Sequence, residues 1–555
     1  MPLLVRNVSL RWDEPEEMLG QRLAKVLHLP PKAIRSYGIV RRAIDARDHA
    51  DIRRVYHVEV AVDADEQRVL RRGRANQVSL LRPEAEGPVD VSPGTRKLDH
   101  PPVVIGTGPA GLFAALLLAE GGYRPLVVER GQDVPARHKA LHLYYTQGKF
   151  DPENNLLFGI GGAGTYSDGK LYSRTHDPRN ALVLRELVRF GADPDILIDA
   201  KPHVGSDKLP GICRRMVEHV RQLGGEVRYG AKVVDFEVKE GSEKGSGVRG
   251  QGLERQIAAL VLETGEHIAA EVCVLATGHS ARDTYRMLAA RGVALRAKPF
   301  QMGVRIEHPQ ALVNRNQFGE AAALLPAADY FLVAKNAAGY CDPSASRCGP
   351  DVFSFCMCPG GQILPSNESP NEICTNGAST SRRNSPYANS GLVVTILPEE
   401  FDNDALAGVA YQRRWERLGY ELSRSYAVPA QRADDFLAGR ASVDPVQTSY
   451  PLGSKSVELR AMLPPIAWRA LERALPMLER MIRGYAGPEG VIAAPETRAS
   501  SPIRIPRDEQ TRQSVSIEGL YPVGEGAGYA GGIVSSAADG LKSAEVIIRH
   551  FAPLK

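Results

Sequence analysis

The chain has 555 residues, enough for two to four domains each with its own buried core. Its 43% apolar and 24% charged residues are ordinary for a globular protein, and a formal net charge of +4 is too small to imply binding to nucleic acid or an acidic membrane surface by charge alone. No stretch offers the roughly 18 consecutive apolar residues of a membrane span, Met1–Leu19 lacks the apolar run of a secretory leader, and seven cysteines do not make a disulfide scaffold. A cytoplasmic setting is the expectation.

Residues 1–95 read as a small α+β domain. Leu3–Leu10 and Val55–Val62 alternate like strands, and Glu16–Leu27 has helical apolar spacing. Residues 1–97 hold 18 Lys and Arg against 14 Asp and Glu, so this part carries the whole charge excess. No Arg/aromatic platform for RNA stacking accompanies it. A domain packed on the rest of the chain is therefore expected, with an RNA or protein partner as the alternative. Arg82–His100, rich in Pro and Gly, reads as a linker.

From Pro101 the texture becomes short apolar strands, glycine turns and helices, as in a parallel α/β sheet. In Pro101–Arg130, a strand (Val103–Ile105) runs into Gly106-x-Gly108-x-x-Gly111, then a helix (Pro109–Glu120), then a second strand ending at Glu129 and Arg130. Gly106 permits the tight turn, Gly108 lets a pyrophosphate approach the backbone, and Gly111 lets helix and strand pack closely. Pro109 suits the first helical position, and the helix start, including Ala110, presents free N–H groups and partial positive charge to phosphate. Glu129, 21 residues after Gly108, can accept ribose hydroxyls and disfavours a 2′-phosphate. FAD or NAD fits this motif, whereas NADP does not.

Two later elements favour FAD. Val272–Gly278 is a buried strand ending in Ala276-Thr277-Gly278, where small residues leave room for a cofactor. Near the C-terminus a strand (Leu520–Val523) enters a glycine-rich turn (Gly524–Gly532) and a helix (Ile533–His550). The start of that helix, at Gly531, Gly532 and Ile533, can stabilise negative charge gained by a flavin on reduction, and Glu525 can hydrogen-bond the ribityl chain. The joint reading is a split, Rossmann-like FAD-binding domain of the ββα dinucleotide-binding type (98–295 and 491–555). An α+β substrate-side domain is inserted at 296–490. Within it, Ser366–Ser390 reads as a polar surface loop and Pro465–Tyr485 as a helix burying Leu471, Leu475, Leu478 and Met481; Glu240–Gln256 is a second polar loop.

Ala43–Arg47 (AIDAR), Gly159–Leu171 (GIGGAGTYSDGKL), Cys356–Gly361 (CMCPGG), Glu496–Ile505 (ETRASSPIRI) and Gly524–Gly532 (GEGAGYAGG) carry a resemblance over essentially the whole chain. It resembles the bacterial FAD-dependent dehydrogenases that join a small N-terminal domain to a split FAD domain and a distinctive C-terminal domain. Ala43 stands where that family usually has Ser. The resemblance implies that Gly159–Lys170 lies against the flavin, with Gly161, Gly162 and Thr165 approaching it. It also implies that Val233 touches the adenine.

The reactive candidates remain open. Cys356 and Cys358 are a flavin-linked dithiol or small residues in a packed strand, Val352–Cys358; the Cys-x-Cys spacing is against an easy disulfide. Five cysteines fall between Cys341 and Cys374, but no pair has the spacing of a structural zinc site. Asp168, Lys170 and Arg174 either face the flavin or form a loop ion pair. Asp168-Gly169 resembles the Asp-Gly motif of aromatic hydroxylases but comes only 62 residues after Gly106, too early for it, and the three tryptophans lie too far apart for a halogenase motif. Arg498, Arg504 and Arg507 bind a substrate carboxylate or phosphate, or pair with surface acids. His279 reads as a polar loop residue. No second strand–GxGxxG–helix follows Arg130, so NADH or NADPH is expected only as a transient donor. The expected activity is hydride transfer through flavin N5 with a small-molecule substrate; flavin-linked thiol exchange and a flavin-binding regulatory or RNA-associated role are the alternatives.

Overall fold

The computed structural model describes residues 2–72, 76–81, 91–173, 175–240, 255–337, 341–342, 347–348 and 350–554. Arg174, most of the 240–256 loop and residues 82–90 of the linker lie outside them.

A parallel five-stranded sheet forms the centre, in the order Leu520–Pro522, Cys273–Leu275, Val103–Ile105, Leu126–Glu129, Glu226–Tyr229. These strands are short and mostly apolar because helices cover the sheet. The helix Pro109–Glu120 is apolar almost all round because it lies between the sheet and the terminal helix Ile533–His550. Contact between the two helices is backbone-close: a Cβ on Gly540 would run into the Ala110 carbonyl. The last strand thus completes a sheet begun at Val103, and the last helix covers it, as the split domain requires. An antiparallel sheet of His267–Ala269, Arg255–Leu262 and Val233–Glu240 adjoins it.

The inserted domain is a seven-stranded sheet in the order Val333–Ala334, Val352–Cys358, Tyr387–Ile396, Phe300–Pro309, Val491–Glu496, Val428–Arg432, Ser454–Ser456. Strand Val491–Glu496 pairs with Phe300–Pro309 and Val428–Arg432. The expected boundary at 490/491 is therefore corrected: the chain leaves the inserted sheet only after Glu496. The helix Pro465–Glu479 buries Leu471, Leu475 and Leu478 against this sheet, but Met481 lies beyond the helix and is exposed. Ser366–Ser390 is not a surface loop. It contains strand Thr375–Ser379, and Ser366, Asn367, Glu372 and Thr375 are buried, their polarity met by bonds such as Cys374 N to Asn367 Oδ1 at 3.1 Å and Thr375 Oγ1 to Pro495 O at 3.0 Å.

The N-terminal domain is a four-stranded sheet in the order Ile34–Asp45, Arg53–Val62, Leu3–Arg11, Val78–Leu80, with the helix Leu19–Leu27 on one face. Its strand Ile34–Asp45 escapes a periodicity reading because most of its residues are exposed. That strand docks on the FAD domain: Arg42 N donates to Ile198 O at 2.8 Å, and its guanidinium pairs with Asp199 and Asp195 at 2.5 and 2.6 Å. The described part of the linker is anchored, with Gly94 N donating to Ile548 O at 2.8 Å.

Candidate functional site

Three backbone elements distant in sequence meet at the carboxyl ends of the central strands, where open α/β sheets bind ligands. Gly106 has φ +100°, and a Cβ there would lie 2.6 Å from the Ala276 carbonyl oxygen. A Cβ on Gly526 would lie 2.5 Å from the Gly278 carbonyl oxygen, and one on Gly524 would lie 3.0 Å from Ala110 Cβ. The first glycine bend, the Ala-Thr-Gly strand end and the C-terminal bend are therefore neighbours. Arg507 sets the last of these: it pairs with Asp539 at 2.7 Å, and Asp539 Oδ2 accepts from Gly524 N at 2.8 Å.

One cavity of about 960 Å³ runs along this junction and into the inserted domain. From the first bend it is lined by Gly106, Gly108, Pro109 and Ala110, followed by Glu129 and Arg130. Gly162, Asp168, Lys170 and Val233 come next, then Ala276, Thr277 and Gly278. Gly524, Glu525, Gly531, Gly532 and Ile533 close it at the C-terminal bend. A Cβ on Gly108, Gly278 or Gly531 would meet no protein atom within 4 Å, so these backbones face open space. Bare glycine backbone, the start of a helix and a buried acid at the end of the second strand are a donor set that fits the diphosphate and ribose of FAD.

Glu129 is more occupied than its sequence position suggests. Its Oε2 accepts from Thr107 N and Oγ1 at 2.9 and 2.6 Å, and its Oε1 from Gly131 N and Gly159 N at 3.0 Å each. It ties the first bend to the Gly159 loop while still lining the cavity. Arg130 forms two ion pairs, with Glu153 at 2.6 Å and Asp283 at 2.9 Å, and lies 4.1 Å over the Phe158 ring. Glu525 lies 3.4 Å from His279 Nδ1, whose Nε2 meets the Arg498 carbonyl at 3.1 Å.

The inserted domain contributes the reactive wall. In a regular strand, residues two apart share a face but sit roughly 6.6 Å apart, at the long limit of disulfide reach. Here a bulge falls between Phe355 and Cys358, and Cys356 has φ +44°, so the Cys-x-Cys segment is not regular strand. Cys356 lines the cavity, whereas Cys358 lies behind it, its Sγ donating to the Cys356 carbonyl at 3.3 Å. The Lys170 ammonium donates to the Met357 carbonyl and lies 3.8 Å from Asp168. A hydrogen bond from Cys358, helped by the charges of Lys170 and Arg305, holds the Cys356 thiol well below the usual thiol range. The hydrogen bond with Cys356, together with burial and the negative charge on Cys356, pushes the Cys358 thiol up. Burial opposes the charge on Lys170, but Cys356, Cys358 and Asp168 outweigh it and push its pKa up. Behind this wall, buried Arg305 pairs with Glu496 through two bonds of 2.6 and 2.7 Å and donates to the Cys356 carbonyl at 3.2 Å.

Residues 299–499 match the family model described as "FAD-dependent protein, C-terminal domain-like", and 100–310 match that described as "Pyridine nucleotide-disulphide oxidoreductase". Residues 3–61 match a domain of unknown function. An uncharacterized protein of Clostridium beijerinckii is 38% identical over 557 residues, covering 99% of each chain. The chain belongs to this family of FAD-dependent oxidoreductases. Among solved structures, glycine oxidase from Bacillus cereus is 12% identical at a TM-score of 0.33, covering 81% of this chain and 95% of that one. CtdE in complex with FAD is 10% identical at a TM-score of 0.29, covering 80% and 82%. Likeness at that level says nothing about substrate.

Several expected site residues of this family member lie elsewhere. Gly161 and Thr165 do not line the cavity: Thr165 is buried, its hydroxyl donates to Ile160 O at 3.0 Å, and it fills the space a Cβ on Gly161 would need. Gly111 is a packing position, since a Cβ there would run into the Gly106 carbonyl. Arg504 is also away from the cavity, donating to Gly528 O at 3.0 Å beside Tyr529, whereas Arg498 lines it. Among the described residues no group of three or more His, Cys, Asp or Glu is placed to hold a metal ion, and no helix is long and apolar enough to cross a membrane. The side chains of Cys341 and Cys348 lie outside those described. Sequence reasoning missed Arg137. This buried side chain donates to five carbonyls, those of Asn155, Leu156, Gly159, Ile160 and Gly162, at 2.7 to 3.3 Å, and so shapes the glycine loop. Within the sequence PARHKAL it looks like one more surface charge.

Proposed function

We propose that the protein catalyses a flavin-dependent dehydrogenation or reduction of a small organic substrate. The FAD diphosphate would lie at the Gly106–Gly111 bend, and its redox-active ring would lie toward Lys170, Cys356 and the start of the terminal helix. The observation that supports this is the single cavity lined by both glycine bends and by the inserted domain. When bound, FAD supplies two-electron chemistry, as hydride exchange at N5 or as electrons delivered to a disulfide. The chain's own groups bind, orient and insulate. The start of helix Pro109–Glu120 offers N–H donors and a positive dipole end to phosphate. The start of helix Ile533–His550 offers the same to negative charge. Lys170 keeps its proton and adds a fixed positive charge, while Phe353 and Phe355 on the facing strand exclude water. NADH or NADPH would enter this same cavity as a transient donor. Anaerobic mixing of the purified flavoprotein with NADH, NADPH and a metabolite panel should bleach the flavin spectrum with at least one donor. A protein that carries no flavin and takes up no added FAD would end this reading.

A second reading is favoured by the exposure of Cys356 to the cavity with Cys358 behind it. The Cys356 thiolate would attack a substrate disulfide, forming a mixed disulfide and releasing one thiolate. Cys358 would then pass its proton to the released substrate thiolate and displace the second one, leaving a Cys356–Cys358 disulfide and a reduced substrate. If replacing both by Ser leaves turnover with every active donor unchanged, this reading fails.

A further inference from the structure

The strand Val352–Cys358 turns two phenylalanines away from the core of its own domain. Val352 is buried in that core, and the hydroxyl of buried Ser354 accepts from Leu332 N at 2.8 Å. Side chains alternate along a strand, so Phe353 and Phe355 take the opposite face, where both are half-buried and line the cavity. Two more large rings line it from other elements. Tyr172, just after the Gly159 loop, is 51% exposed, and Phe331 is 61% exposed. Side chains of this kind normally pack in a core, and apolar surface left open on a cavity wall marks a binding face.

The charged groups beside these rings are matched within the protein. Lys201 and Asp329, both lining the cavity, pair at 2.8 Å between the FAD and inserted domains, two residues from Phe331. Lys170 is committed to the Met357 carbonyl, on the same strand as the phenylalanines, and lies 3.8 Å from Asp168. Asp168 accepts from Arg383 at 2.6 and 3.2 Å, and Glu496 from Arg305 at 2.6 and 2.7 Å. An ionic ligand would find each of these groups already paired, and bringing in a charge without a partner is costly.

Resting on the reading that this cavity is a flavin site, we propose that Phe353, Phe355, Tyr172 and Phe331 form an aromatic slot at its substrate end, and that the substrate presents an uncharged planar ring. Aromatic side chains hold such a ring in stacked or edge-to-face geometry, which fixes its orientation as well as its position.

Phenol, cyclohexanol and benzoate test the assignment, titrated at neutral pH and constant ionic strength into the FAD-loaded full-length protein. Phenol should perturb the flavin absorbance bands saturably. Cyclohexanol, of similar size but without a π face, should compete with phenol roughly tenfold more weakly than phenol itself binds, and benzoate at least as weakly as cyclohexanol. Phe355→Leu keeps apolar bulk and loses the ring. It should weaken phenol binding by roughly fivefold, and adding Phe353→Leu should weaken it further, with cyclohexanol nearly unaffected. Both variants should keep the flavin content of the parent, since neither ring is in the buried core. Cyclohexanol or benzoate binding as tightly as phenol overturns the proposal, as does unchanged phenol affinity in the double variant or a flavin-loaded parent that ignores phenol. Loss of FAD from Phe355→Leu would show that the ring seats the cofactor instead, and also overturns it. A parent chain that binds no FAD at all refutes the flavin reading itself, a result separable from the others.

Discussion

Gly108→Ala separates the cofactor-binding role of the first bend from its folding role. Gly108 has φ −63° and ψ 176°, an extended backbone any residue adopts, and a methyl there would meet no protein atom within 4 Å. The substitution should therefore leave the apo fold unstrained, and the reduced freedom of the unfolded chain should stabilise it by about 0.4–1 kcal/mol. The methyl projects instead into the cavity, over the helix start that faces the diphosphate. Pushing the diphosphate away by the depth of a methyl breaks roughly two charge-assisted hydrogen bonds of about 1.5–3 kcal/mol each. The Kd for FAD should rise by roughly 10²- to 10⁴-fold. Gly111→Ala is the contrasting control. Its methyl would run into the Gly106 carbonyl and lie 3.2 Å from Ala276 Cβ, so the apo protein itself should lose about 1–3 kcal/mol. FAD titration of deflavinated protein, alongside urea unfolding of the apo forms, reads both quantities. If Gly108→Ala binds FAD as tightly as the parent, the diphosphate does not lie on this bend. If it destabilises the apo fold as Gly111→Ala does, the space beside it is not open.

In deflavinated protein, Cys356 should react with iodoacetamide at a rate nearly independent of pH from neutrality upward, because its lowered pKa already makes it thiolate there. Lys170→Met removes a neighbouring positive charge and should move the pH at which the rate levels off upward by roughly one unit while leaving the rate at pH 7 nearly unchanged; peptide mass spectrometry follows both, and a rate still climbing to pH 8.5 in the parent would contradict the assignment. Glu416→Ala removes the two-bond partner of buried Arg282, leaving it Glu368 and Gln412 at 3.2 Å each, and should cost about 3 kcal/mol by urea unfolding. Burial pushes the Glu416 carboxyl up, but Arg282 and Arg498 outweigh it and hold it low. Its contribution is thus present above the unfolded value near pH 4.3 and lost as pH falls below it, and Glu416→Gln should lack that acid loss. Arg137→Lys leaves three donors for five carbonyls and should lower stability by about 2–4 kcal/mol and weaken FAD binding together, read by the same two assays.

The cofactor half of the site was legible in the chain because its constraints are local. Gly106 must turn with φ +100° beside a neighbouring strand, and Pro109 must start a helix, so backbone sterics write themselves into residue type at fixed spacing. The substrate half was not legible. Whether an arginine is a surface charge, a scaffold or a buried ion-pair partner depends on what surrounds it. Arg137, Arg498 and Arg504 look alike in sequence yet fill five carbonyls, lie buried 3.7 Å from Glu416 and cap a turn, respectively. Nor did the Cys-x-Cys spacing disclose the bulge that puts Cys356 on the cavity wall. Sequence alone determined the two glycine bends, since each needs only its own few residues; that they line one cavity is a tertiary fact. Only the tertiary structure decided which charges find partners, because pairing is a property of residues brought together across 134 and 191 positions of chain, as Arg282 with Glu416 and Arg305 with Glu496 show.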